Sequence, residues 1–128
     1  MLPHKHFLIA GIVILIAAIF FQVSVFEGIL WTAIGGIAAM IIDFDAIIFA
    51  NISDEFRQFS NPIDLSRRYN EFMNLLKSTG KIKILMITHI LISVIVLAIA
   101  FFFLRNYFIP IVLGIGSHLA TDAYSVIK

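Results

Sequence analysis

Residues 29–50 read ILWTAIGGIAAMIIDFDAIIFA, an apolar run whose only ionisable side chains are Asp43 and Asp45. A helix needs about 20 such residues to cross the hydrocarbon of a bilayer, so the run predicts a membrane span. A carboxylate at that depth costs several kcal/mol unless it is paired or hydrated. The same stretch therefore predicts a span and a polar site inside it.

Working outward, Glu27–Gly28 separates this run from Phe7–Phe26, which only Gln22 and Ser24 interrupt. That earlier run exceeds the roughly 7–15 apolar residues of a signal peptide and has no A-x-A-like cleavage site after it, so it reads as a retained span. On the other side, residues 51–83 are polar, with Arg57, Arg67, Arg68, Lys77, Lys81 and Lys83 among Asp54, Glu55, Asp64 and Glu71. Within them Asn61–Pro62 has the form of a helix start, and Leu65, Tyr69, Phe72, Met73 and Leu76 recur at helical spacing up to Gly80. This amphipathic helix either lies on a membrane surface or packs on the protein. Two more apolar runs follow, 84–104 with His89 and 108–127 with His118 and Asp122, joined at Arg105–Asn106–Tyr107. The expectation is an all-α integral membrane protein, one domain over 1–128. Its four-helix transmembrane bundle (7–26, 29–50, 84–104, 108–127) would carry a cytoplasmic amphipathic segment between helices 2 and 3. Gly35, Gly36, Gly114 and Gly116 are the small residues that would let helix backbones approach.

Composition supports this reading. The 128 residues are 61% hydrophobic and 13% charged, with mean hydropathy +1.04, where a soluble domain is about a quarter charged. So short a chain could not bury that apolar content in one core. A net charge of +1 and a pI near 8.1 lack the basic excess of a nucleic-acid binder. The absence of cysteine excludes thiolate ligands and nucleophiles, so any metal must sit on histidine and carboxylate.

The basic residues set the orientation. Lys5, the six in 51–83 and Lys128 would face one side, against Arg105 on the other; positive-inside places both termini and the large loop in the cytoplasm. At 1.5 Å per residue, Asp43, Asp45, His89 and Asp122 then all lie roughly 8–10 Å inside the cytoplasmic ends of their spans. His4 and His6 stand at that end of the first span, and His118 is one turn from Asp122. All four histidines and three of the five aspartates thus gather toward one end of one bundle.

His and carboxylate converging from several helices is how bundles hold metal. His118 and Asp122, at i and i+4, share one helix face. Asp43 and Asp45 differ by about 200° on an ideal helix, so only one can face a common site unless the helix is distorted. The candidate ligands are His4, His6, Asp43, Asp45, His89, His118 and Asp122. Whichever of Asp43 and Asp45 is left over would act as general base or orient a histidine. The donors suit Zn²⁺, with Mn²⁺ or Fe²⁺ as alternatives, and an open position would support hydrolysis. Membrane lipids are the expected partners, with a lipid phosphoester as substrate and loop cations drawing in anionic headgroups. Two other readings remain open from the residues alone: a proton or metal-ion transporter, and a non-catalytic protein whose polar core locks its helices.

His4-Lys5-His6, Asp43-Phe44-Asp45, Thr88-His89 and Ser117-His118-x-x-x-Asp122, in that order, resemble the signature blocks of the YdjM-type membrane-bound metal-dependent hydrolases, also described as LexA-binding inner-membrane-associated hydrolases. The resemblance implies an inner-membrane, multi-pass hydrolase, distantly related to zinc-dependent phospholipase C and the single-strand nucleases. It carries the ligand role onto an amino-terminal histidine, an aspartate of the D-x-D pair, His89, His118 and Asp122. The chain departs from that pattern at Ile42, where the family usually has proline, and over 83–89, which lacks the family's His-Arg-Gly; fewer metals would fit.

Overall fold

The computed structural model describes residues 3–127, with side chains over 4–124. Every regular element in it is helical: α1 (Pro3–Phe20), α2 (Val25–Ile42), α3 (Phe44–Ile52), α4 (Pro62–Arg67), α5 (Tyr69–Ser78), α6 (Ile82–Phe103) and α7 (Phe108–Ile127), with 3₁₀ turns at Asp54–Phe59 and Arg105–Tyr107.

The first connection lies earlier than the expected Glu27–Gly28. α1 stops at Phe20, and Gln22 takes a left-handed φ of 55°. Val23 N–H reaches back to the Ala18 carbonyl and Gln22 N–H to that of Ile19, a Schellman ending. α2 then starts on a capping box: Ser24 Oγ accepts from Glu27 N–H, and the Glu27 carboxylate accepts from Ser24 N–H. Glu27 is the third residue of that box, and its charge suits the positive end of the helix dipole. The turn is therefore residues 21–24, and Gly28 is an interior glycine packed on Ala18.

α1 runs antiparallel to α2, and α2 runs parallel to α7. The α2–α7 crossing depends on missing side chains. A Cβ on Gly35 would overlap the Pro110 carbonyl, and one on Gly114 would overlap the Gly35 carbonyl. Gly36 gives its space to the Phe7 ring, whereas Gly116 has nothing near it and is no part of a close approach. Ala10, Ile14 and Ala39 fill the α1–α2 seam, and Ala38, Ile42, Ala100, Ile111 and Ile115 the seam shared with α6 and α7. Small residues on facing stripes bring these helices close enough for their polar ends to meet.

The amphipathic segment turns its apolar face into the protein. Leu65, Phe72 and Leu76 are buried with Phe56 and Phe59 against Ala46 and Ala50 of α3 and Leu85 of α6. Phe72 packs edge-on to Phe56 and Phe59, with centroids 5.7 and 5.4 Å away. Burying one such ring stabilises by about 2 kcal/mol. The expected single helix is two, broken at Arg68 (φ −110°, ψ 27°). Asn61 caps α4 through Ile63 N–H, with Pro62 at its first position, and Gly80, at φ +70°, follows the end of α5.

Among the described residues two helices are long and apolar enough to cross a membrane: Val25–Ile52, which passes through the Asp43 break between α2 and α3, and Ile82–Phe103. The apolar stretch of α1, His4–Phe20, is shorter.

Candidate metal centre

Four helical positions deliver the site. His6 comes from the first turns of α1, Asp43 from the joint between α2 and α3, His89 from the early part of α6, and His118 with Asp122 from α7. The joint matters most. Asp43 N–H bonds to the carbonyls of Met40 and Ile41 instead of continuing the α-helical ladder, and Asp43 itself initiates α3. This local tightening is the distortion that an ideal helix would have needed. It brings Asp43 and Asp45 to the same histidine, His89, on different ring nitrogens.

Ligand atoms of His6, Asp43, His118 and Asp122 all lie within 4.8 Å of one another. Asp122 is the hub: Oδ1 is 3.2 Å from His6 Nε2, and Oδ2 is 3.3 Å from His118 Nε2 and 3.4 Å from His89 Nε2. Asp43 Oδ1 stands 3.9 Å from Nε2 of both His89 and His118. Donors arranged tetrahedrally around a Zn²⁺ at 2.0–2.2 Å are separated by about 3.4 Å. These spacings fit one ion.

The hydrogen bonds behind the donors favour the same conclusion. The Thr121 hydroxyl donates to the His118 carbonyl, so its oxygen is left to accept from His6 Nδ1–H at 2.9 Å. Asp45, buried, accepts from His89 Nδ1–H, and Thr88 Oγ1 lies 3.0 Å from the same carboxylate oxygen. In both histidines an oxygen acceptor stands behind Nδ1 and Nε2 points into the cluster, the orientation that a metal-ligating imidazole requires. Among the described side chains, His118 Nδ1, Asp43 Oδ2 and Asp45 Oδ1 are buried with no hydrogen-bond partner, and Nε2 of His6 and of His118 face the Asp122 carboxylate at 3.2 and 3.3 Å. His6 and His118 are 1% and 0% exposed. Orphaned polar atoms at such burial cost roughly 1–3 kcal/mol each, which a cation would offset.

The seven candidate ligands thus separate. His6, Asp43, His118 and Asp122 form the cluster, and His89 adjoins it through Asp122 and Asp43. Asp45 contacts the Nδ1 side of His89, and of the two aspartates only Asp43 is in the cluster. His4 is exposed and stands outside the cluster, because two residues of helix turn it about 200° away from His6, which packs against His118 of α7. Thr121 was not singled out from the sequence. Its place three residues after His118, on the same helix face, is the signal that could have found it.

Tyr69, at the start of α5, lines the cavity into which Asp43, His89 and Asp122 open. Burial, together with the Asp122 and Asp43 carboxylates, pushes its phenol well above the usual tyrosine range, so it stays protonated. Only the amphipathic stripe marked it in the sequence. Comparison of the chain with family models, curated proteins and solved structures returns no match.

Proposed function

We propose that this protein is a membrane-embedded, metal-dependent hydrolase acting on an ester, a phosphoester of a lipid or lipid-linked molecule, as the YdjM-type resemblance implies. The observation that carries the reading is the set of imidazole and carboxylate donors from α1, α7 and the α2–α3 joint, within 4.8 Å of one another, opening through Asp43, His89 and Asp122 onto an apolar cavity. His6, His118, Asp122 and Asp43 hold a divalent cation, Zn²⁺ by donor type, with His89 alongside. Such a cation, when bound, activates water and polarises an ester. Asp45 and Thr121 fix the ring orientation of His89 and His6. Tyr69 offers a proton donor at the cavity wall.

All four long helices cross the bilayer in this reading, with residues 51–83 on the cytoplasmic side. Ile12, Ile16 and Ile19 of α1 and Ile87, Leu91 and Val94 of α6 are exposed, and so continuous an apolar surface suits lipid better than water. The reading is tested on purified protein by elemental analysis and by phosphoesterase assay on phospholipid vesicles. Stoichiometric Zn²⁺ and turnover that falls on acidification, as protons displace the ion from the imidazoles, are expected. Metal-free protein without turnover, whose stability does not rise with added Zn²⁺, would return the cluster to a hydrogen-bonded polar core. Proton or metal flux in vesicles without turnover would make it a transporter. Cysteines placed at Ser60 and Asn106 should react with an impermeant reagent from opposite faces.

A further inference from the structure

The metal-binding cluster is one end of a cavity of about 260 Å³ between α5, α6 and α7. At that end the lining is Asp43, His89 and Asp122, with Tyr69 beside them. Everywhere else it is hydrocarbon or thioether: Phe72 and Met73 from α5, Leu85, Met86 and Ile90 from α6, and Leu119 from α7.

Polarity divided so sharply along one cavity selects its ligand. A small hydrophilic ester would leave most of the wall in contact with nothing it could satisfy, and a pure hydrocarbon would leave buried polar atoms unmet. An amphiphile meets both ends. Met86 and Ile90 line the cavity and are also 39% and 53% exposed, and their neighbours Ile87, Leu91 and Val94 on α6 are exposed as well, so the cavity opens beside the apolar surface of that helix. Two methionines in the wall give it the adaptable shape that suits a flexible chain.

We infer that this cavity seats a single hydrocarbon chain, admitted from the lipid phase past Met86 and Ile90, with its oxygen-bearing head at Asp43, His89 and Asp122. The placement of the head rests on the proposed metal centre; the seat for the chain does not. Each methylene that moves from water into the cavity favours binding, so affinity rises with chain length until the cavity is full. Beyond that point a longer chain must leave the cavity past Met86 and Ile90.

The test uses the full chain in lipid nanodiscs and a decylphosphonate carrying a diazirine at the end of its chain, with labelled residues located by mass spectrometry. Saturable labelling at Phe72, Met73 or Leu85 is expected, displaced by unlabelled decylphosphonate and not by ethylphosphonate. Met86→Trp, which fills the cavity, should reduce that labelling about tenfold while bound Zn²⁺ is unchanged. Met86→Ala, which widens it, should keep the labelling and guards against a tryptophan variant that fails to fold. Labelling that does not saturate and spreads over Val94 and Ile95 on the outer face of α6 would overturn the inference, as would equal displacement by ethylphosphonate. Saturable labelling in a protein with neither metal nor turnover would keep the chain site and sink the hydrolase reading. Turnover with only diffuse labelling would do the reverse.

Discussion

At one end of the long helices stand three buried imidazoles with Asp43, Asp45 and Asp122, covered by the Phe56–Phe59–Phe72 cluster. At the other, the turns at 21–24 and 104–107 carry exposed Phe20, Phe21, Phe102 and Phe103, and their charged neighbours Glu27 and Arg105 lie open. Both ends join the same helices, yet only one draws its ionisable groups in among the helices, buried or half-buried. Helix association alone would not require that, because the outer end closes on apolar contact and a capping box. The difference teaches that helix packing by itself does not account for the polar end, whose His and Asp side chains could hold a metal ion.

The sharpest way to break the comparison is to truncate one side chain at each end. His118→Ala should weaken Zn²⁺ binding by more than about 100-fold, beyond the 10–100-fold typical of residues behind the ligands, while Phe102→Ala leaves it unchanged by elemental analysis. Equal effects would dissolve the distinction. The next largest effect separates two glycines of α7. Gly114→Ala drives a methyl into the Gly35 carbonyl and should lower unfolding stability by about 1–3 kcal/mol and release metal as α2 is pushed away. Gly116→Ala, in open space, should raise stability by about 0.5–1 kcal/mol. Denaturation of the two variants in the same detergent reads the opposite signs.

Asp45→Asn sharpens the comparison within the polar end. It keeps the shape but weakens the acceptor that fixes His89, so metal affinity should fall about 10-fold, less than for Asp43→Asn; a larger loss at Asp45 would make it a direct ligand. The smallest effect belongs to the outer end. Gln22→Gly relieves a left-handed residue and should add less than about 1 kcal/mol to stability without touching metal content.

Much of this was legible without coordinates, in particular residues. The length and apolarity of the runs around 29–50 and 84–104 mark the two helices long enough to cross a membrane, because hydrocarbon thickness is a property of the solvent and not of the fold. Asn61–Pro62 and Gly80 mark the helix boundaries of the polar segment, because capping is local chemistry. The Ser24-x-x-Glu27 box was equally local, and reading Glu27–Gly28 as the turn overlooked it.

The sequence by itself determined that the donors are imidazole and carboxylate, and that helix length brings them to one end of the chain's apolar runs. Only the tertiary structure decided which donors meet: His6 over His4, Asp43 facing the cluster with Asp45 behind His89, and Tyr69 at the cavity wall. The physical reason is rotation. A sequence fixes how far along a helix a side chain sits, at 1.5 Å per residue, but the direction it points depends on how that helix is turned against its neighbours. Here the turning is set by the Gly35–Pro110–Gly114 crossing and by the break at Asp43, neither of which helical periodicity contains.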